Sequence, residues 1–251
     1  MSLPISVLDL APIAPGRSAV DALAATTIIA RRADELGYKR FWVAEHHNMP
    51  AVASTAPETL IAHLAASTDR IRVGSGGVML PNHAPLAVAE RFAMLEALHP
   101  ERIDLGLGRA PGTDPQTAIA LRSHDPKLFG EHFAELRGYL GDGHHGIRAV
   151  GGDHTQPQLW MLGTSESGAR VAGALGIPFA FGHHIHTHCT EPALELYRDL
   201  FVPSDLAQRP RTIVAAGIVV GEDDEHAARL ALPGGVSMLW LRQGRPRPLP
   251  S

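Results

Sequence analysis

The sequence predicts an α/β fold of the TIM-barrel type. Three observations carry that prediction. Short apolar runs alternate with longer helix-period stretches from end to end, seven times over. The second of these runs ends abruptly in Glu45, His46 and His47, and in such barrels functional side chains gather at the carboxyl ends of the strands. The length of 251 residues suits a barrel formed as one domain. An open doubly wound sheet is the competing arrangement, and seven repeats in one compact unit favour closure.

Taken in order, strands are expected near 5–9, 40–44, 71–79, 103–107, 158–162, 178–182 and 212–220. Between the first two lies SAVDALAATTIIARRADELGYKR, where Ser18 and Asp21 fit a capping-box start. Ala22, Ala25, Ile29, Ala33 and Leu36 recur at spacings of three and four, which predicts one buried face, and Gly37 supplies the stop. Further helices are expected at 57–67, 86–98, 128–140, 166–175, 191–200 and 222–231. After the last of these the chain reads PGGVSMLWLRQGRPRPLPS, with no eighth strand. Residues 1–232 are therefore expected to form a (β/α)8-type barrel whose eighth strand is missing. Residues 233–251 are expected to be a Pro/Gly/Arg-rich tail, a truncated connection rather than a polyproline motif. Seven parallel strands leave an edge between the first and the last.

Composition narrows the function classes. With 45% hydrophobic and 19% charged residues, 25 glycines and 20 prolines, the chain is that of an ordinary globular protein. A net charge of −4 and a pI near 6.4 argue against a nucleic-acid partner. A single cysteine, Cys189, excludes an internal disulfide and a Cys-rich zinc site. MSLPISVLDLAP lacks a basic n-region, and no run reaches the ~18–20 apolar residues of a membrane span, so a cytoplasmic location is expected.

Five stretches could carry chemistry. His46 or His47 at a barrel mouth suits general acid–base work, against the plainer reading that one packs and one is solvated. In IRVGSGGVMLPNHAP, Ser75, Gly76 and Gly77 interrupt a strand, where a ligand or a neighbouring strand comes close. In RIDLGLGRAPGTD, Ile103, Leu105 and Leu107 share one face. Asp104, Gly106 and Gly108 share the other, which leaves space in the barrel mouth, and Arg109 follows at the strand end as a phosphate holder. In LWMLGTSESGARVAGALGIP, Gly163, Thr164, Ser165 and Ser167 lead into a helix. Its N-terminus is either an anion site or an ordinary cap, and Arg109 one strand away tilts the reading towards phosphate. Glu166 must then point outward. In FGHHIHTHC, His184, His186 and His188 suggest a metal. Metal-dependent barrels place their His-x-His in the first strand, which here has none, so no metal is expected.

WVAEHHNMP, RIRVGSGGVMLPNHAPLAVAERFAMLEALHPERIDLGLGRAPGTD and LWMLGTSESGARVAGALGIPFAFGHH together resemble the bacterial luciferase-like flavin monooxygenases, over most of residues 1–220. The likeness is to the small single-component subgroup. It implies that His46 is the catalytic histidine and that Gly76–Gly77 is a non-prolyl cis peptide lying against the flavin ring. It also implies that Arg109, Thr164 and Ser167, with Gly163 and Ser165 beside them, hold the flavin phosphate. The resemblance implies reduced FMN from a separate flavin reductase, oxygen, and a small organic substrate oxidised through a flavin hydroperoxide. Relatives often dimerise, which implies a homodimer. The light-emitting enzymes carry a cysteine where Gly108 stands, which argues against luminescence, and relatives continue beyond residue 251. A deazaflavin-dependent hydride-transfer oxidoreductase and a shortened flavin-binding protein without turnover are the alternatives.

Overall fold

The computed structural model describes residues 3–151 and 156–250. Strands β1 (Val7–Asp9), β2 (Arg40–Val43), β3 (Arg72–Met79), β4 (Ile103–Gly108), β5 (Gln158–Gly163), β6 (Phe179–Gly182) and β7 (Thr212–Ala215) form one parallel sheet in sequential order. The helices are α1 (Ala19–Glu35), α2 (Pro57–Ala66), α3 (Pro85–Leu98), α4 (Pro115–Ala120), α5 (Phe129–Leu140), α6 (Glu166–Ala174), α7 (Thr190–Asp199) and α8 (Asp224–Arg242). This is a TIM-barrel-like fold in which β1 and β7, among the described residues, pair on one side only.

Side-chain alternation sorts the barrel into an outside and an inside. Phe41, Val43, Ile103, Leu105, Leu107, Phe179 and Phe181 pack under the helices in one large apolar cluster. Each such buried side chain stabilises by about 1.5–3 kcal/mol. Trp42, Trp160 and Ala180 face inward in a second, small cluster, with Leu8, Leu162 and Ile213 against it. Towards the amino-terminal ends of the strands sits the fully buried Asp104. It accepts from Trp42 Nε1 at 2.9 Å and pairs with Arg40 Nε at 3.0 Å and Arg72 Nη2 at 2.7 Å. Three donors around one carboxylate meet the condition under which a buried charge is tolerated.

Three expectations are corrected and one helix is added. The capping box of α1 is present, with Ser18 N donating to Asp21 Oδ2 at 2.8 Å and Asp21 N to Ser18 Oγ at 3.2 Å. Its buried face, however, is Ala22, Thr26, Ala30, Ala33 and Asp34, whereas Ile29 and Leu36 are 47% and 57% exposed. The helix is rolled so that Asp34 accepts the amides of Asp69 at 2.7 Å and Ile71 at 2.8 Å, capping the approach to β3. The last strand stops at Ala215 rather than 220, because β6 ends at Gly182, the partner of Ala215, and offers nothing further to pair with. The segment PQTAIA, unassigned in the sequence reading, is α4, with Asp114 as N-cap and Pro115 at its first position. Finally, α8 runs 19 residues across the expected boundary at 232–233, with Pro233 inside it. A proline removes one backbone donor and clashes one turn back. The long-chain residues on both sides, ARLAL and SMLWLR, carry the helix through, and none of its residues is buried.

Candidate active site at the barrel mouth

The strand ends place three loops together. Ala44 and Glu45 leave β2, Leu80–Asn82 form a 3-10 turn after β3, and residues 109–114 follow β4. Glu45 is fully buried and is the hub. It accepts from the Met79 amide at 2.8 Å, Asn82 Nδ2 at 3.1 Å, His47 Nε2 at 2.9 Å and His83 Nε2 at 3.0 Å. Burial alone pushes the carboxyl up. The bonds from His83 and His47 and from the Met79 amide outweigh burial and hold Glu45 below its ordinary value, so it is a carboxylate. Because a carboxylate only accepts, both histidines carry a proton on Nε2.

His46 points elsewhere. Its Nδ1 lies 3.1 Å from the Gly112 carbonyl oxygen, an acceptor only, so Nδ1 carries the proton and Nε2 keeps its lone pair. Burial lowers the imidazole pKa, against the Gly112 carbonyl and the Glu45 charge, which raise it. His46 is therefore a neutral base at pH 7. Gly112 has φ +65°, and a Cβ there would lie 3.0 Å from the Glu45 carbonyl oxygen and 2.9 Å from Met79 Cγ, so only glycine brings that carbonyl to the imidazole. Asn82 Nδ2 also donates to the Pro111 carbonyl at 2.9 Å, and Thr113 Oγ1 to the His47 carbonyl at 2.8 Å. The loop after β4 is thus pinned to the loop after β2.

The candidate anion site lies one strand further round. Arg109 Nη2 donates to Ser167 Oγ at 3.2 Å, which joins the two phosphate candidates directly. Burial draws the pKa of Arg109 down, yet a guanidinium stays charged, and among the described residues no carboxylate pairs with it. Gly163, Thr164 and Ser165 form the turn into α6, whose N-cap Ser165 makes no side-chain cap bond. Glu166 is exposed, as an anion site there requires. An unpaired guanidinium, a hydroxyl and an uncapped helix N-terminus form a donor set that fits a phosphate.

Two sequence expectations change here. Ser75 is fully buried, and its hydroxyl donates to the Gly106 carbonyl at 2.9 Å while accepting the Gly106 amide at 3.0 Å. Its side chain is committed to β4. The expected open space on the glycine face of β4 is also filled. A Cβ on Gly106 would sit 2.2 Å from the Ser75 carbonyl oxygen and 2.8 Å from Leu162 Cδ1. Glycine here lets two strands approach, with a register shift between Gly76 and Val78. The Gly76–Gly77 peptide is cis, as the resemblance implies. The histidine run is dispersed: His184 Nδ1 donates to the Ala215 carbonyl at 3.0 Å and His186 Nδ1 to the Thr164 carbonyl at 3.1 Å. Among the described residues no group of three His, Cys, Asp or Glu is placed to hold a metal ion.

The sequence reading missed His83 and Asn82. The signal was NHAP directly after the glycine strand, a polar pair at a strand's carboxyl end.

Fold and site define the class: a parallel α/β barrel with a buried carboxylate–imidazole cluster and a group of hydrogen-bond donors at the carboxyl ends of the strands. The chain belongs to the luciferase-like monooxygenase family, whose model matches residues 3–248. A protein of Escherichia coli (strain K12) named luciferase-like monooxygenase is 42% identical over 254 residues, covering 99% of this chain and 76% of that protein. The N-acetyl-S-alkylcysteine monooxygenase of Bacillus subtilis (strain 168) is 41% identical over 191 residues, covering 72% of this chain and 57% of that one. The crystal structure of apo-MsnO8 superimposes with a TM-score of 0.94 at 40% identity, covering 99% of this chain and 76% of that one. At 19% identity the fold is shared with an FMN complex of a type II Baeyer–Villiger monooxygenase (TM-score 0.77) and with an F420-dependent secondary alcohol dehydrogenase (TM-score 0.59). Family and relatives make the coarse class a monooxygenase-type oxidoreductase. No helix among the described residues is long and apolar enough to cross a membrane.

Proposed function

We propose that the protein is a flavin-dependent monooxygenase that takes reduced FMN from a separate reductase and oxidises a small organic substrate with oxygen. The observation that carries this reading is the Arg109–Ser167 contact beside the uncapped N-terminus of α6, a phosphate-sized donor set one strand from the cis Gly76–Gly77 peptide. The reduced flavin would supply the oxygen activation, and the chain supplies binding, orientation and a proton site. Arg109, Ser167 and Thr164 would hold the phosphate, with Gly163 and Ser165 shaping the turn. The Gly76–Gly77 backbone would lie against the ring, without the Ser75 side chain. His46, locked by Gly112 with Nε2 unprotonated, would accept a proton during the oxidative step. The named activity of the Bacillus subtilis relative on N-acetyl-S-alkylcysteine supports a small organic substrate.

The test is a stopped-flow experiment in which oxygen is mixed with the anaerobic complex of protein and reduced FMN. Flavin reoxidation through a phase absent from free flavin is expected. A trace identical to free flavin, in a sample that binds FMN, overturns the monooxygenase reading. A parallel titration with a deazaflavin separates the hydride-transfer alternative, which requires that ligand to bind more tightly than FMN.

A further inference from the structure

Beyond the phosphate cradle, the same end of the barrel holds a cleft of about 450 Å³ that no part of the proposed machinery uses. Its walls are Ile185, His186, Thr187, His188 and Cys189, from the segment between β6 and α7, and Arg242 from the end of α8. The volume lies in the range of small-ligand sites. The chemistry of the lining is one-sided. Arg242 contributes a guanidinium whose contact is a long 3.5 Å approach to the Ile185 carbonyl, and among the described residues no carboxylate lines the cleft or pairs with Arg242. Thr187 adds a hydroxyl, and Ile185 an apolar wall. His186 joins this cleft to the cradle, because its Nδ1 donates to the carbonyl of Thr164.

We propose that this cleft is the substrate subsite and that it selects small organic substrates bearing a carboxylate, which Arg242 engages while the apolar part of the molecule lies along Ile185. A guanidinium recognises a carboxylate through paired, charge-assisted donors, and its planar fork loses little freedom in doing so. His186 spends its Nδ1 proton on Thr164 and so offers Nε2 as an acceptor, which leaves the anion to Arg242 and Thr187. The position of Arg242, at the last residue of a helix with no buried residue, makes the subsite a property of how α8 crosses back to the β6 end.

This inference rests on the flavin monooxygenase reading, and the experiment separates the two. Hexanoate and its neutral isostere hexanamide are titrated calorimetrically into the intact protein, alongside FMN, for the parent, Arg242→Gln and Arg242→Lys. Hexanoate is expected to bind at least tenfold more tightly than hexanamide. Arg242→Gln should abolish that preference, Arg242→Lys should retain part of it, and the FMN affinity should be unchanged in both. Equal binding of hexanoate and hexanamide to the parent overturns the carboxylate assignment, as does a Gln variant that keeps the preference. If Arg242→Gln weakens FMN and spares hexanoate, the cleft belongs to the flavin phosphate and the proposal falls. Failure of FMN to bind, with the hexanoate preference intact, removes the flavin reading and leaves the anion subsite standing.

Discussion

Glu45→Gln tests whether the carboxylate hub organises the mouth. The substitution keeps the shape and removes the charge. Both carboxylate oxygens face donors: His47 and Asn82 on Oε1, the Met79 amide on Oε2, and His83 Nε2 between them at 3.0 and 3.1 Å. A glutamine must therefore turn its NH2 group towards one of these sets. The side chains of His47 and His83 are 18% exposed and can turn to water, and Asn82 keeps the Pro111 carbonyl. The best arrangement turns the NH2 group to the Oε1 set and keeps the amide oxygen on the Met79 N–H, so the cost is that of the lost charge-assisted bonds, about 1.5–3 kcal/mol each before the histidines turn to water. A net loss of about 2–3 kcal/mol follows, short of the ~3–5 kcal/mol for breaking a fully buried pair. With a urea m-value of a few kcal/mol/M, the midpoint should move by roughly 1 M. The pH dependence has a definite sign. Glu45 has a folded pKa depressed below its unfolded value, so its contribution is fully present above the ordinary value of 4.5 and is lost as pH falls through the folded pKa. The gap between parent and variant should be full at pH 7 and shrink below about pH 4.5. A midpoint shift that is negligible at pH 7, or a gap that widens in acid, would refute the hub.

Three further outcomes follow from the same geometry. Arg109→Ala should weaken FMN by about 10- to 100-fold, the worth of one charge-assisted phosphate contact, while riboflavin changes less than about twofold, as read by flavin fluorescence; equal losses would take Arg109 off the phosphate. His46→Asn should abolish the oxygen reaction and spare FMN affinity. Because burial lowers the His46 pKa, the acid limb of the parent's activity should lie below the ordinary imidazole value of 6.5, and a limb above it would contradict a neutral base. Gly106→Ala places a Cβ 2.2 Å from the Ser75 carbonyl oxygen, so the β3–β4 pair must separate. A loss above about 3 kcal/mol in thermal or urea unfolding is expected, and a neutral substitution would show that the strands are not so close.

Much was legible because it depends on short-range pattern. Apolar runs and periodic stretches give the positions of most strands and helices within a few residues, since each element buries a face with its own period. Arg109 and Ser167 could be named from chemistry and position, and the structure joins them. Other features needed partners distant in sequence. The roll of α1 is set by Asp34 reaching the amides of residues 69–71, not by the larger apolar side chains of its own stripe. The end of β7 is set by where β6 stops. The helix through Pro233 defeats a local breaker rule, because the segments on both sides are good helix formers.

What the sequence determined by itself was the repeating strand–helix order, the strand-end placement of imidazole, guanidinium and hydroxyls, and a single cysteine, too few for a disulfide or a Cys-rich zinc site. Only the tertiary structure decided that Glu45 serves His47 and His83 rather than His46. It also decided that Gly112 sets the His46 tautomer, and that the glycines of β3 and β4 are used on each other. The physical reason is that hydrogen-bond partnership and close backbone approach depend on distances across loops 30 to 70 residues apart, which adjacency along the chain does not encode.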